Sequence, residues 1–357
     1  MLDEEAGWVE IEQCTKPHWV DYATEFYILY YASRGASSVR LGWRFVRPLV
    51  ATVLFATSPT SAATPTSGDS AYATYEVGLK EYAKGDFAAA LRIWMPMAEA
   101  GDGDAQAAVA AMYANGEGLI ENDAEAFRWT MLAAERGHAF AQFNLSVMYE
   151  SGEGVTPDTT EAMRWLRMSA DQGCAPAETR LGYMYSIGHR LPKDIEHALY
   201  WFGKAAEQGD AEAQTSLGDL YWTGVDVSKD RVKALSLYQR AAAQRYAPAQ
   251  ANLAAFHIDG DIVTKDGKEG ERLLRLAAEQ GYTPAQYTLG IMFKFGQEVS
   301  RDPVTAFMWL DVAAAAGDEN AGRARDDLAA SMEARDIEAA RERSREWLAV
   351  HPWHPWR

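Results

Sequence analysis

The stretch AETRLGYMYSIGHRLPKDIEHALYWFGKAAEQGDAE, residues 177–212, decides the fold. Ala177, Leu181, Met184 and Tyr185 fall at i, i+4, i+7 and i+8, one apolar face of an α-helix. Gly188 marks a loop. Asp194 then stands before a second apolar-periodic run carrying Ala198, Trp201, Ala205 and Ala206, and Gly209 ends it. The stretch predicts helix, loop, helix and turn.

The pattern returns outward in both directions with a period of 36 residues. Ala105, Ala141, Ala177, Ala213, Ala249 and Ala285 open six units over 105–320, and Ala321 opens a partial seventh. Each unit is too small to bury its own apolar face, so units must stack on one another. The expected fold is all-α, a right-handed α/α superhelical solenoid of helix-loop-helix repeats, which binds along its surface.

Positions shared between units divide into caps, ends and packing. Asp123, Asp158, Asp194, Asp230, Asp266 and Asp302 are read as N-caps of the second helices, since a carboxylate accepts from exposed first-turn N–H groups. Glu161 and Glu269, three residues after their aspartates, suggest capping boxes. Six carboxylates could also suggest calcium, but capping explains them. Gly137, Gly173, Gly209, Gly281 and Gly317 suit left-handed helix ends, and Arg245 in the fourth unit is a predicted strain site. Small residues, among them Gly182, Gly218 and Gly290, mark close helix approach. Trp129, Trp165, Trp201 and Trp309 supply core area, as do Tyr113, Tyr149, Tyr185 and Tyr221.

Taken together, A-x3-L-G-x2-Y-x2-G-x-G-V-x2-D-x3-A-x2-W-x3-A-A-x2-G resembles the Sel-one-like repeat, a relative of the tetratricopeptide repeat. The second unit matches through Ala141, Leu145, Tyr149, Gly152, Gly154, Val155, Asp158, Ala162, Trp165 and Gly173. Leu237 and Leu273 replace the tryptophan in the fourth and fifth units. Residues 71–104 resemble a shorter tetratricopeptide-like unit, and 321–350 read as C-terminal capping helices. The resemblance implies a non-enzymatic scaffold or adaptor that holds a protein or peptide partner in a concave groove lined by first helices. It implies no cofactor and no metal.

The groove face is read from a stripe on the first helices. Phe143, Tyr183, Trp222, Tyr287 and Ile291 lie on that stripe, where a solvated face should be polar, and they are candidate partner-binding residues. The alternative is that they fill gaps between adjacent repeats.

Charge and motifs narrow the function further. A net charge of −17 argues against nucleic-acid binding. No H-E-x-x-H, C-x-x-C or P-loop occurs. Some cysteine-rich members of the resembling family are described as β-lactamase-like, which leaves a hydrolase as the second hypothesis. This chain lacks their paired cysteines, having only Cys14 and Cys174, and it lacks S-x-x-K, S-D-N and K-T-G.

The N-terminal region has a different character. Arg40, Arg44 and Arg47 precede the apolar stretch Leu49–Phe55, and Ser61 and Ala63 follow as small residues before a cleavage point. Residues 39–63 therefore read as a signal peptide, whose apolar stretch is too short for a stable membrane span. Residues 1–38 then read as a doubtful extension and 64–70 as a linker. This predicts a periplasmic or secreted protein acting in the bacterial envelope or in secretion. If the N-terminal arm is instead real, a cytoplasmic regulatory adaptor is expected. The tail 351–357, His-Pro-Trp-His-Pro-Trp-Arg, is either an extended docking segment or a frayed end.

Overall fold

Apolar residues three and four apart, an Asp or Asn before them and a Gly after, set the limits of most helices in this chain. The computed structural model describes residues 67–351, except residue 261. Among the described residues there are 16 helices and no strands. The stretches read as an extension, 1–38, and as a signal peptide, 39–63, and nearly all of the tail lie outside them. The stretch 64–70 read as a linker is already helical from Ser67.

A leading hairpin joins α1 (Ser67–Ala83) to α2 (Phe87–Glu99). Six hairpins of one design follow. They pair α3 (Gly103–Asn115) with α4 (Asp123–Glu135), α5 (Ala139–Ser151) with α6 (Thr159–Asp171), and α7 (Ala175–Ile187) with α8 (Ile195–Glu207). Then come α9 (Ala211–Thr223) with α10 (Arg231–Ala243), α11 (Ala247–Asp259) with α12 (Gly267–Glu279), and α13 (Thr283–Phe295) with α14 (Pro303–Ala315). The stack ends in α15 (Glu319–Ala329) and α16 (Ala334–Val350). From α2 to α15 each helix packs on the one before it, and α15 and α16 both pack on α14. The first helices α7, α9 and α11 also touch in succession, which puts them on the inner side of the stack.

Capping decides where second helices start. Asp158, Asp194, Asp230, Asp266 and Asp302 each accept from first-turn N–H groups. Asp123 does not. Asn122 is the cap of α4, accepting from Ala124 and Glu125, while Asp123 is already the first helical residue. The period steps back from Asp158 to residue 122, not 123. The capping boxes are only half formed. Glu161 and Glu269 turn to Arg164 and Arg272, three residues on. The N–H of each cap donates instead to a carbonyl at the end of the first helix, as Asp158 does to Tyr149 at 2.9 Å and Asp266 to His257 at 2.8 Å. This bond closes all six hairpins the same way.

Helix spacing is set by small residues. A Cβ added at Gly182 would lie 2.6 Å from Phe202 Cδ1, and one at Gly218 would lie 2.7 Å from Tyr238 Cε1. These glycines permit close approach, at a helix-propensity penalty of about 1 kcal/mol each. Of the repeated tryptophans, Trp129, Trp165 and Trp309 are buried, while Trp201 is half-buried beneath Lys204 Nζ. Arg245 holds φ 64°, the left-handed end expected from its register with the glycines.

Glutamines tie unit to unit. Gln142 Nε2 donates to the Ala134 carbonyl at 3.1 Å, and Gln172 Nε2 donates to Gln142 Oε1 at 2.6 Å. Gln214 with Gln244 and Gln250 with Gln280 repeat the side-chain pair. In the third unit the position holds Glu178, fully buried, whose carboxylate pairs with Lys204 Nζ at 2.8 Å and accepts from Gln208 at 2.6 Å.

The inter-helix loops also depart from the period. Gly118 and Gly154 give way at later steps to Arg190, Asp226 and Glu298, all with positive φ. Each uses its side chain to reach the preceding unit: Arg190 pairs with Glu150 at 2.8 Å, Asp226 with Lys193 at 2.6 Å, and Glu298 with Lys265 at 2.8 Å.

Candidate functional site

A first helix sits between its own second helix and the hairpins on either side, so its buried arc is wide. In α7, Ala177, Glu178, Thr179, Leu181, Gly182, Met184 and Ser186 are all buried. Besides Ala175 and Tyr185, what remains accessible is Pro176, Arg180, Tyr183 and Ile187, a stripe at spacings of four, three and four. In α9 the accessible positions include Glu212, Asp219 and Trp222, and in α13 they include Tyr287, Ile291 and Phe295. Ile187 is 39% exposed and Phe295 61% exposed.

The five candidate residues do not form one patch. Phe143 is buried, in a cluster with Leu166 and Leu181. Tyr183 is half-buried, edge-on to Phe202 at 5.1 Å, and its hydroxyl shares a 2.6 Å hydrogen bond with Ser216 of the next unit. Trp222 is half-buried against Phe256 at 4.6 Å, with the Arg231 guanidinium 4.2 Å from its ring. Tyr287 and Ile291 are half-buried against the core of the last units, which Trp222 also joins. Tyr183 and Trp222 each bridge to an adjacent repeat while keeping an accessible edge.

Charges along this face are mostly neutralised in pairs. Glu150 is held by Arg180 and Arg190. Asp104 lies 3.1 Å from His138, whose hydrogen bond pulls its carboxyl below the usual range. Asp219 differs. Its Oδ1 accepts from Tyr238 Oη at 2.6 Å and from Asn252 Nδ2 at 2.9 Å. Burial pushes its carboxyl up to about 7 against the pull of those two bonds. Reading along the 36-residue step, the position holds Ala111, Val147, Tyr183, Asp219, Ala255 and Ile291, a single carboxylate in six units. That break in the period is the signal by which Asp219 could have been singled out from sequence.

Little in the face suggests chemistry. Among the described residues no group of three or more His, Cys, Asp or Glu is placed to hold a metal ion. Cys174 stands at the start of α7, and burial pushes its thiol up, which disfavours the nucleophilic thiolate. No described helix is long and apolar enough to cross a membrane.

Comparison with known proteins agrees with this architecture. The Sel1 repeat model matches at 103–138, 139–174, 175–210, 211–246, 247–282 and 283–318, beginning each unit two residues before the alanine. Among solved structures the chain is similar to c5321, a protective antigen present in uropathogenic Escherichia coli strains that displays an SLR fold. That likeness has 30% identity and a TM-score of 0.69, over 80% of this chain and 62% of the other. The chain thus spans less than two thirds of c5321. It is also similar to a Sel1 repeat protein from Oxalobacter formigenes, with 32% identity and a TM-score of 0.63, over 68% of this chain and 99% of that one. No curated protein matches. Six consecutive repeats, each closed by the same cap and tied to its neighbour, make this chain a member of the Sel1 repeat family.

Proposed function

We propose that this protein is a non-enzymatic scaffold that holds a protein or peptide partner against the inner face of its first helices. Sel1 repeat proteins are generally protein-interaction scaffolds. The observation that carries the reading is the division of labour within each first helix. Residues that repeat are buried or capping, whereas the accessible stripe changes from unit to unit, from Pro176, Arg180, Tyr183 and Ile187 to Tyr287, Ile291 and Phe295. Stacked repeats use such variable inner positions for recognition.

The test compares full-length baits carrying Ile187→Asp with Phe295→Asp against a bait carrying Tyr200→Asp, which changes an exposed residue on α8. The first bait is expected to lose partners that wild type and the α8 variant retain. Equal retention by all three overturns the inner-face assignment.

Export to the envelope or beyond is part of the proposal. It is supported by the arginines, apolar stretch and small residues of 39–63. N-terminal sequencing of the mature protein from fractionated cells is expected to begin near Thr64. Recovery of the segment around Trp19–Tyr31 in that protein overturns it.

A further inference from the structure

Asp219 is half-buried on the first-helix face, with its carboxyl largely desolvated, in a fold that gains nothing from its charge. Asp219 Oδ1 accepts two neutral donors, Tyr238 Oη and Asn252 Nδ2. An asparagine could accept both through the same oxygen, without the desolvation penalty of an anion. The family's packing does not require an acid here, since the other five units use Ala111, Val147, Tyr183, Ala255 and Ile291. Among the described residues no Lys, Arg or His forms an ion pair with Asp219, and its Oδ2 has no hydrogen-bond partner. Other acids in the stack are ion-paired or capping: Glu178 has Lys204, Glu150 has Arg180 and Arg190, and Asp210 caps α9 by accepting from the Ala213 N–H.

We infer that Asp219 is the receptor for a lysine side chain of the bound partner, at the junction of the fourth and fifth units; this rests on the first-helix face being the binding surface. The geometry favours an ammonium over a guanidinium. A guanidinium fork seeks both carboxylate oxygens side by side, but Oδ1 is already occupied by two donors. A single free oxygen, held in place by Tyr238 and Asn252, suits a compact point charge. Tyr183 and Ala255 stand at the same register on the flanking first helices and give an apolar border for a lysine stem. The chain carries −17 overall and Glu212 is exposed two turns before Asp219 on α9, while Arg231 and Lys229 lie over the Trp222 ring. Burial already pushes the Asp219 carboxyl up, so an arriving positive charge also relieves an ion that the fold holds at a penalty.

The experiment selects displayed random 12-residue peptides on the immobilised full-length protein, then measures synthetic copies by fluorescence anisotropy. Lysine is expected at one shared position in the selected peptides. Replacing that lysine by norleucine should weaken binding to wild type about tenfold or more, and arginine should not restore it. Asp219→Asn should lose a similar factor for the lysine peptide and almost nothing for the norleucine peptide, because the two changes remove one interaction. Peptides that bind Asp219→Asn as tightly as wild type, yet lose affinity to Ile187→Asp with Phe295→Asp, overturn the lysine site while leaving the inner-face reading intact. Peptides indifferent to both protein variants, or no selectable peptide, overturn the two together. The norleucine comparison uses unaltered protein, so instability of a variant cannot decide the outcome.

Discussion

Lys204 Nζ lies 2.8 Å from the carboxylate of Glu178, a side chain with no exposed surface at a position where the other five units carry glutamine. The charge is therefore matched locally. Lys204→Met should destabilise the chain by on the order of 2 kcal/mol, because it strands the buried anion. Glu178→Gln should be neutral or stabilising, since it restores the amide found at Gln142 and Gln214. The double variant should recover most of what Lys204→Met loses. Urea denaturation of the three variants checks the order.

Gly182 is 2.6 Å, measured from its ideal Cβ, from the Phe202 ring. Gly182→Ala should cost about 1–2 kcal/mol: overpacking outweighs the gain in helix propensity. Adding Phe202→Leu reproduces the Ala254 and Leu274 combination of the fifth unit and should return much of the loss. Non-additivity of the two changes in thermal melts is the measurement.

Arg245 and Asp226 both have φ 64°, but only Asp226 has an ion-pair partner, Lys193. Arg245→Gly should stabilise by up to about 1 kcal/mol through relief of left-handed strain. Asp226→Gly should change little, because the relief is offset by the lost pair. Denaturation midpoints of the two variants, measured side by side, separate the effects.

The cap of α4 is Asn122, with Asp123 inside the helix. Asn122→Ala should therefore destabilise by about 1 kcal/mol. Asp123→Ala should lose only a few tenths, its share of the helix-dipole interaction. Equal losses in chemical denaturation would show that Asp123 takes over the cap.

Asp219 ties stability to pH. Its folded carboxyl is pushed up to about 7 by burial, while the unfolded value stays near 4. Between those limits the unfolded chain releases the proton first, so stability falls as pH rises from about 4 and levels off above about 7. The fall due to this residue is on the order of 2 kcal/mol for a partly solvated group. Asp219→Asn should be more stable than wild type at pH 8 and nearly equal to it at pH 4. Melting temperatures across that range, taken for both proteins, give the difference directly.

The features legible in the sequence are those that repeat. Helix pairs, glycine ends, the glycines facing Phe202 and Tyr238, and the left-handed Arg245 all follow from register, because a position seen six times reveals its physical job. Errors arose where two residues could do one job. Asn122 and Asp123 both cap well, and only the step from Asp158 chooses between them. Glu161 could reach back to its cap but has Arg164 within one turn, and takes it. The candidate site was less legible. The stripe that runs through Tyr183 at helical spacing also takes in Thr179 and Ser186, whereas neighbours on both sides bury those two and leave Pro176, Arg180 and Ile187 accessible. Which side chains a stacked neighbour covers depends on the angle between hairpins, and a periodic pattern does not encode that angle.

The bonds that join one hairpin to the next have an implication for how the chain is made. Among the described residues Gln172 reaches Gln142 across 30 residues, the side-chain hydrogen bonds from Tyr82 to Glu117 and from Gln244 to Gly209 span 35, and the ion pair of Arg190 with Glu150 joins adjacent units too. No such contact waits for a distant part of the polypeptide. Each hairpin can therefore lock onto its predecessor as soon as it leaves the ribosome, and the stacking face of the newest hairpin is what waits for cover. A chain assembled in that order can be lengthened or shortened by one whole unit without rewriting the rest, which is the simplest route by which such arrays change their number of repeats.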